Sequence, residues 1–565
     1  MVKQKRLWWL AVSALAATLH AAPRPNIVLI TLGSARADRM GFLAPAGKLT
    51  PNLNSLAPDS LIFEHAYAQA PSTVVSHATI LTGTYPQNAQ VSELGALLPP
   101  ALPYLPDLLH ARGYRTAAFA GSIALDPRNG LAQGFERGFD VYDAGFHGPD
   151  EESRAPSIQR SGAEVVNRAL AWISKNSRTS FFLWVQLNDA DTLERSSYDP
   201  GMRAADAAAG KLLAFLRVQK LYADAVIVVT ADHGESLGAH GEETNGIFLY
   251  DETIRVPLML KMPGGQLAGK RISTRARLVD VAPTILEAAG AGVPPEMQGQ
   301  SLLRMARSSS AAEQPAYSRS DLPQQAFGWS GLESWRAGKY LYIRAPQPEL
   351  YDLSIDPGAT HNLAGTSRAV LDAMAGQLEA FDGRFRAGKA VAALSSSEMQ
   401  KLASLGYVGL QKQTAASASS SGLDPKDRIA TANKLEAALR DLEAGLTEKA
   451  LAASDPIAAK QPDLYLAQYI SGVSNLRKRQ YGRAGQYLHR AIELYPDSPW
   501  AHYYMGENLL RTGDFKTAAV HLEIACGRLP DFAPGHASLA QAYERTGRSA
   551  DAGRERARAA QLRGP

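Results

Sequence analysis

Residues 225–235 read Ala225-Val-Ile-Val-Val-Thr-Ala-Asp-His-Gly-Glu235. The unbroken apolar run, rich in β-branched residues and closed by Gly234, is the pattern of a strand buried on both faces. Such strands belong to parallel sheets covered by helices, because a sheet with one wet face alternates polar and apolar residues. In these sheets, sites gather at the carboxyl ends of the strands. Asp232 and His233 stand at that end and offer an oxygen and an imidazole to one divalent metal ion.

Moving outward, the pattern repeats. Asn26-Ile-Val-Leu-Ile-Thr-Leu32, Arg115–Ala120, Phe181–Leu187 and Val256–Leu260 are strand-like runs, and helical patterns such as Ala163–Ser174 and Ala204–Val218 fill the intervals. The alternation predicts an α/β domain with a mainly parallel sheet sandwiched by helices. The first strand runs into Gly33-Ser34, at the same sheet edge as Asp232-His233. A metal site there wants a carboxylate where Gly33 stands. Further on, Lys339–Arg344 and Glu349–Leu353 flank a Pro-containing turn and read as a hairpin of a small antiparallel sheet.

Ser72-Thr-Val-Val-Ser-His-Ala-Thr79 reads as a loop entering a helix. A hydroxyl there faces free amides and the positive end of the helix dipole, which suits an oxyanion or an activated alkoxide. A plain Ser/Thr N-cap is the structural alternative. Arg36-Ala-Asp38, after the first strand, could orient a loop or bind an anion; a solvated pair reads equally well.

The chain has 565 residues, 45% hydrophobic and 20% charged, which allows two or three domains of ordinary soluble composition. Its formal net charge of +4 does not suggest nucleic acid. Cys526 is the single cysteine, so neither an intrachain disulfide nor a thiolate zinc site is available. Lys3, Lys5 and Arg6 precede an apolar stretch, Leu7–Leu19, shorter than the ~18 residues of a membrane helix. Residues 1–22 are therefore expected to be a signal peptide or N-terminal anchor. The protein is expected to be exported, either periplasmic or membrane-anchored facing the periplasm.

Residues 411–422 are rich in Gln, Ala and Ser and read as part of a flexible linker, placed at 386–424. Beyond it Pro-Asp occurs at 462–463, 496–497 and 530–531, a period of 34 residues. Gly472, Gly506 and Ala540 share that period, as do Ala484, Ala518 and Ala552, and Ala491, Ala525 and Ala559. Residues 425–565 thus resemble an all-α tetratricopeptide repeat solenoid, with a more decayed unit near 428–461.

Residues 24–365 resemble the sulfatase family of the alkaline phosphatase superfamily. The resemblance is carried by Arg24-Pro-Asn-Ile-Val-Leu-Ile-Thr-Leu32, Arg36-Ala-Asp38, Thr50-Pro-Asn-Leu53, Ser76-His-Ala-Thr-Ile-Leu-Thr-Gly-Thr-Tyr-Pro86, Thr230-Ala-Asp-His-Gly-Glu235, Leu249-Tyr-Asp-Glu252, Arg255-Val-Pro-Leu258, Asp280-Val-Ala-Pro-Thr284 and Glu349-Leu-Tyr-Asp-Leu353. It implies an alkaline phosphatase-like domain over 23–385. The nucleophile column falls on Thr73. The positions that direct formylglycine formation in true sulfatases are Val75 and His77, which closes that route. A Thr alkoxide serves phosphodiesterase branches of the superfamily. The resemblance assigns Asp232, His233 and Thr73 to a divalent metal (Ca, Zn or Mn). It assigns His77 to the anionic group of the substrate and Arg36 to loop support. Four polar columns have changed: the Asp ligand is Gly33, one His is Gln186, another is Asp191, and a His or Lys is Asn245. Losing a ligand and acid groups costs on the order of 10³-fold in rate.

The function expected from the sequence is metal-assisted hydrolysis of sulfate, phosphate or phosphonate esters by a Thr nucleophile in a partly degenerate site. Its partners would be an anionic ester substrate and a protein bound by the repeats. The alternative is a catalytically inactive sulfatase-like scaffold whose repeats mediate protein–protein interaction.

Overall fold

The computed structural model describes residues 24–44, 49–89, 91, 97–127, 132–144, 160–191, 195–307, 313–384 and 422–563. The expected signal or anchor at 1–22, and most of the expected linker at 386–424, lie outside the described residues.

The main sheet is built from β1 (Ile27–Leu32), β2 (Leu61–Tyr67), β3 (Arg115–Ala120), β4 (Val141–Asp143), β5 (Phe181–Leu187), β6 (Val226–Ala231), β7 (Arg255–Lys261), β8 (Arg271–Ile272) and β9 (Ala276–Arg277). Their order is β4-β3-β5-β1-β6-β7-β2-β8, with β9 also on β2. β4, β3, β5, β1 and β6 run parallel, and β7 opposes both β6 and β2. The central strands are buried along their whole length, which is why β1, β5 and β6 read as continuous apolar runs. A second sheet, β10 (Ala316–Ser320), β11 (Leu332–Ala337), β12 (Tyr340–Arg344) and β13 (Glu349–Asp352), is antiparallel throughout.

Helices of eight or more residues in this part are α1 (Thr73–Thr82), α2 (Gly162–Asn176), α3 (Tyr198–Val218), α4 (Val281–Ala288) and α5 (Arg368–Asp382). α1 is buried except for its first residue, Thr73. β2 was not legible as a strand, because Glu64 and His65 interrupt its apolar run. They sit where its register against β7 shifts, at an irregularity that lets two polar side chains leave the ladder.

The C-terminal region is a succession of antiparallel helices: α6 (Ile429–Glu443), α7 (Thr447–Lys460), α8 (Tyr465–Arg477), α9 (Tyr481–Leu494), α10 (Pro499–Thr512), α11 (Phe515–Arg528), α12 (Ala533–Arg545) and α13 (Ser549–Arg563). α8, α10 and α12 start at 465, 499 and 533, and α9, α11 and α13 at 481, 515 and 549. The small columns have a physical cause. A Cβ on Gly472 would stand 2.8 Å from Leu488 Cγ, and one on Gly506 would press on Leu522 in the same way. Another column closes the turns: Gln468 Nε2 donates to Pro462 O, His502 Nε2 to Pro496 O at 2.9 Å and His536 Nε2 to Pro530 O at 3.0 Å.

This column fixes a protonation state. With Nε2–H of His502 given to a carbonyl, its Nδ1 must accept, and it lies 2.9 Å from Nδ1 of the buried His521. Burial, then the neighbouring His502 and His489, hold His521 well below the ordinary histidine range. The unfolded chain takes up this proton below about pH 6.5 and the folded chain does not, so stability is complete above that pH and falls as pH drops. The helical region should lose up to about 1.4 kcal/mol per pH unit of acidification from this group. Thermal melts from pH 7.5 to 5 check this, and His521→Gln, which can still donate to His502 without titrating, should flatten the slope.

α6 seats on the first domain. Asn433 Nδ2 donates to Gly241 O at 2.8 Å, and Asn433 Oδ1 accepts from Glu243 N at 3.2 Å. Glu436 Oε2 accepts from Thr244 Oγ1 at 2.8 Å. An apolar cluster continues across the seam, from Phe248 and Trp329 into Leu435, Ala467 and Ile470. Burial and the charge of Glu436 push the Glu242 carboxyl up to about 8; its oxygens accept the Ile247 and Phe248 amides.

Candidate active site

Parallel register places the site. Leu32 of β1 pairs with Ala231 of β6 and with Leu187 of β5, so three strand ends emerge side by side. They deliver Gly33-Ser34, Asp232-His233 and Asn188. The N-terminus of α1 brings Thr73 to the same place.

Thr73 Oγ1 lies 3.3 Å from Nε2 of His233. His233 Nδ1 is 2.8 Å from Gly234 O; a carbonyl only accepts, so Nδ1 carries the hydrogen and Nε2 presents its lone pair to the hydroxyl. The imidazole is buried, and Thr73 is the accessible end of α1. Ser72 makes no side-chain cap on α1, so the first-turn amides are not consumed by it.

Asp232 Oδ1 accepts the amides of Ser34 at 3.0 Å and His233 at 2.8 Å. Its Oδ2 is buried without a hydrogen-bond partner, 3.8 Å from His77 Nδ1 and 3.7 Å from His233 Nε2. Ser34 holds φ 54°, a conformation rare outside glycine, and its carbonyl is fixed by Tyr198 Oη at 3.0 Å.

His77 departs from the sequence expectation. It is fully buried and makes both its ring bonds inside the protein, with Nδ1 donating to Thr73 O at 2.8 Å and Nε2 accepting from Thr31 Oγ1 at 3.0 Å. Trp184 Nε1 donates to the same Thr31 oxygen. Burial lowers the His77 pKa, in keeping with a neutral ring. His77 therefore holds the start of α1 in place and does not face a substrate group. Arg36 pairs with Asp38 at 2.7 Å, its Nη1 donates to Glu235 O at 3.1 Å, and its backbone amide donates to Tyr198 Oη.

Three of the four altered columns make side-chain hydrogen bonds: Gln186 and Asp191 are joined through Asn188, and Asn245 bonds Glu235. Gln186 Oε1 accepts the amides of Gly121 at 2.9 Å and Ser122 at 3.0 Å, and its Nε2 donates to Asn188 Oδ1 at 2.7 Å. Asn188 Nδ2 donates to Asp191 Oδ2 at 3.0 Å. Asn245 Nδ2 donates to Glu235 Oε2 at 2.8 Å. Burial raises the pKa of Asp191; burial and then the Asp191 charge raise that of Glu235 well above the carboxylate range. Sequence reading missed Asn188, which belongs to no motif; only the β1–β5 register brings it beside Gly33.

The expected metal is poorly served. Asp232 and His233 are brought together with Thr73, and the bare Asp232 oxygen faces them. Yet among the described residues no three His, Cys, Asp or Glu side chains converge as a ligand group. A Cβ on Gly33 would overlap Asn188 Oδ1 and stand 3.1 Å from its Cγ, so a carboxylate has no room there. The residues present do not fit the divalent ion that the resemblance implies.

The sulfatase family profile matches residues 25–291, and that of the N-sulphoglucosamine sulphohydrolase C-terminal region matches 244–382. Arylsulfatase K of Mus musculus is 31% identical over 170 residues, 28% of this chain and 30% of that protein, so the chain spans less than a third of that relative. The ulvan-active sulfatase of Formosa agariphila is 23% identical over 397 residues, 60% of this chain and 77% of its own. Among solved structures, the phosphonate monoester hydrolase of Agrobacterium radiobacter superposes with a TM-score of 0.54 at 19% identity, over 64% of this chain and 96% of its own. A 2-O GAG sulfatase gives a TM-score of 0.54 at 18% identity, over 64% and 93%. From residue 25 to residue 382, then, the chain is similar to sulfatase-family proteins and shares the alkaline phosphatase-like fold of these structures.

Proposed function

We propose that this domain hydrolyses an anionic ester through Thr73, with His233 as its base. The observation that carries the reading is the approach of Thr73 Oγ1 to the unprotonated Nε2 of His233, whose other nitrogen is tied to Gly234 O. Thr73 gives its proton to Nε2 and attacks the central atom of the ester. The bond to the alcohol breaks, and the alcohol leaves with the proton returned by His233. Water then gives a proton to the same ring and attacks the central atom, the bond to Thr73 Oγ1 breaks, and His233 returns that proton to Oγ1. The first-turn amides of α1 face the oxyanion that develops.

Phosphonate and phosphodiester substrates fit a hydroxyl nucleophile better than sulfate esters do, because Val75 and His77 leave no formylglycine route. The fold relatives include a phosphonate monoester hydrolase, a 2-O GAG sulfatase and a protein whose substrate is D-glucosamine-2-N,6-O-disulfate. The test is turnover of a bis-aryl phosphate, an aryl phosphonate and an aryl sulfate by the full chain. Slow hydrolysis of the phosphorus esters, ahead of the sulfate, is the expected result. Robust aryl-sulfate turnover that survives Thr73→Ala would sink the assignment.

A second reading, an inactive scaffold, is favoured by the Asn188 amide standing where a ligand side chain would be. No turnover on any of the three esters would select it. In both readings the C-terminal helices act as tetratricopeptide-type repeats that bind a protein partner, and the protein is exported.

A further inference from the structure

Asp191, Asp232 and Glu235 follow the ends of β5 and β6 without converging as a ligand group, and each is met by N–H groups: Asp232 by the Ser34 and His233 amides, Asp191 by Asn188 and Glu235 by Asn245. A divalent ion placed among them would need a further carboxylate from the β1 side. Gly33 supplies none, and the space a side chain would take there is filled by the Asn188 amide. Asn188 is not free to swing away. Its oxygen is bonded to Gln186, its nitrogen to Asp191, and Gln186 in turn accepts two backbone amides after β3. A buried amide chain with every member bonded is rigid, and breaking one link leaves a buried group unpaired. We propose that the Gln186–Asn188–Asp191 chain stands in for the cation of the family site, so that the domain holds its site geometry without a divalent ion, and that Asn188 is the residue that closes the ion's position.

The test uses the purified full chain and no turnover measurement, so it stands or falls apart from the hydrolase reading. Elemental mass spectrometry of wild type should find substoichiometric metal, and the melting temperature should not change with EDTA or with added Ca²⁺, Mn²⁺ or Zn²⁺. Asn188→Asp keeps the shape of the side chain, removes the donor to Asp191 and adds a carboxylate. It should bind Mn²⁺ or Ca²⁺ roughly 10–100-fold more tightly than wild type by calorimetry, with a melting temperature that recovers on adding metal. Gly33→Asp alone should be destabilised with no gain in affinity, because Asn188 is in its way. Stoichiometric metal in wild type, with a lower melting temperature on chelation, overturns the proposal. So does Gly33→Asp that binds metal at wild-type stability, or Asn188→Asp that binds no better than wild type. Should Asn188→Asp fail to fold, the wild-type metal content and chelator melt decide the matter.

Discussion

Thr73→Ala is expected to lower turnover of any ester substrate on the order of 10³-fold or more, because it removes the hydroxyl placed beside His233. Stability should hardly change. Thr73 is the accessible first residue of α1, and the bond its hydroxyl makes to His233 Nε2 is worth about 1 kcal/mol. The separation of the two readouts is the point of the experiment. Thr73→Ser, which keeps a hydroxyl, should retain most of the activity, whereas Ser76→Ala should leave the site intact because Ser76 Oγ is turned inward to Ala70 O at 2.8 Å. Equal activity in Thr73→Ala and wild type would remove Thr73 from the chemistry.

Gly234→Ala is expected to damage both stability and activity. A Cβ at this position would overlap the carbonyl oxygen of Glu252 and stand 3.0 Å from its carbon, and Gly234 N is bonded to Thr253 O at 2.8 Å, so backbone must move. The overpacking costs about 3 kcal/mol. For a domain of this size that lowers its melting transition by about 2–4 °C for each kcal/mol. The shift also carries the Gly234 carbonyl that orients His233, and a displacement of about 1 Å costs roughly 10²-fold in rate. Gly376→Ala is the control: it lies within α5 with nothing near its Cβ position, so it should be neutral or slightly stabilising. Melting curves and steady-state rates on the two variants decide the matter.

Much of the fold was legible because its central strands are buried on both faces, a condition that writes itself into sequence as continuous apolar runs. β3 and β5 coincide with the expected segments, and β1, β6 and β7 differ by a residue at their ends. β2 hid behind Glu64-His65, because a register irregularity frees two positions from the burial rule. The approach of Thr73 to Asp232-His233 follows where chain order and the strand ends coincide. The site was not legible where side-chain direction decides. The resemblance sets His77 against the substrate, but its ring is bonded to Thr73 O and Thr31 Oγ1 and packs on Trp184. Gln186 reads as a lost histidine, yet the structure gives it a purpose of its own at the end of β3. Asn188 could not have been found from spacing, since its meaning depends on the absent side chain of a residue more than a hundred and fifty positions away.

The seat of α6 on the loop from Gly241 to Thr244 joins two regions that would otherwise report separately. The same loop continues into Asn245, whose amide holds Glu235 at the strand ends. Lifting α6 would break the Asn433 and Glu436 bonds that this loop makes. Reciprocity follows: a molecule that binds the helices more tightly when α6 is seated strengthens the seat by the same factor, and one that prefers α6 lifted loosens it equally. For a molecule of either kind, a binding isotherm measured on the helices carries the state of the α6 seat.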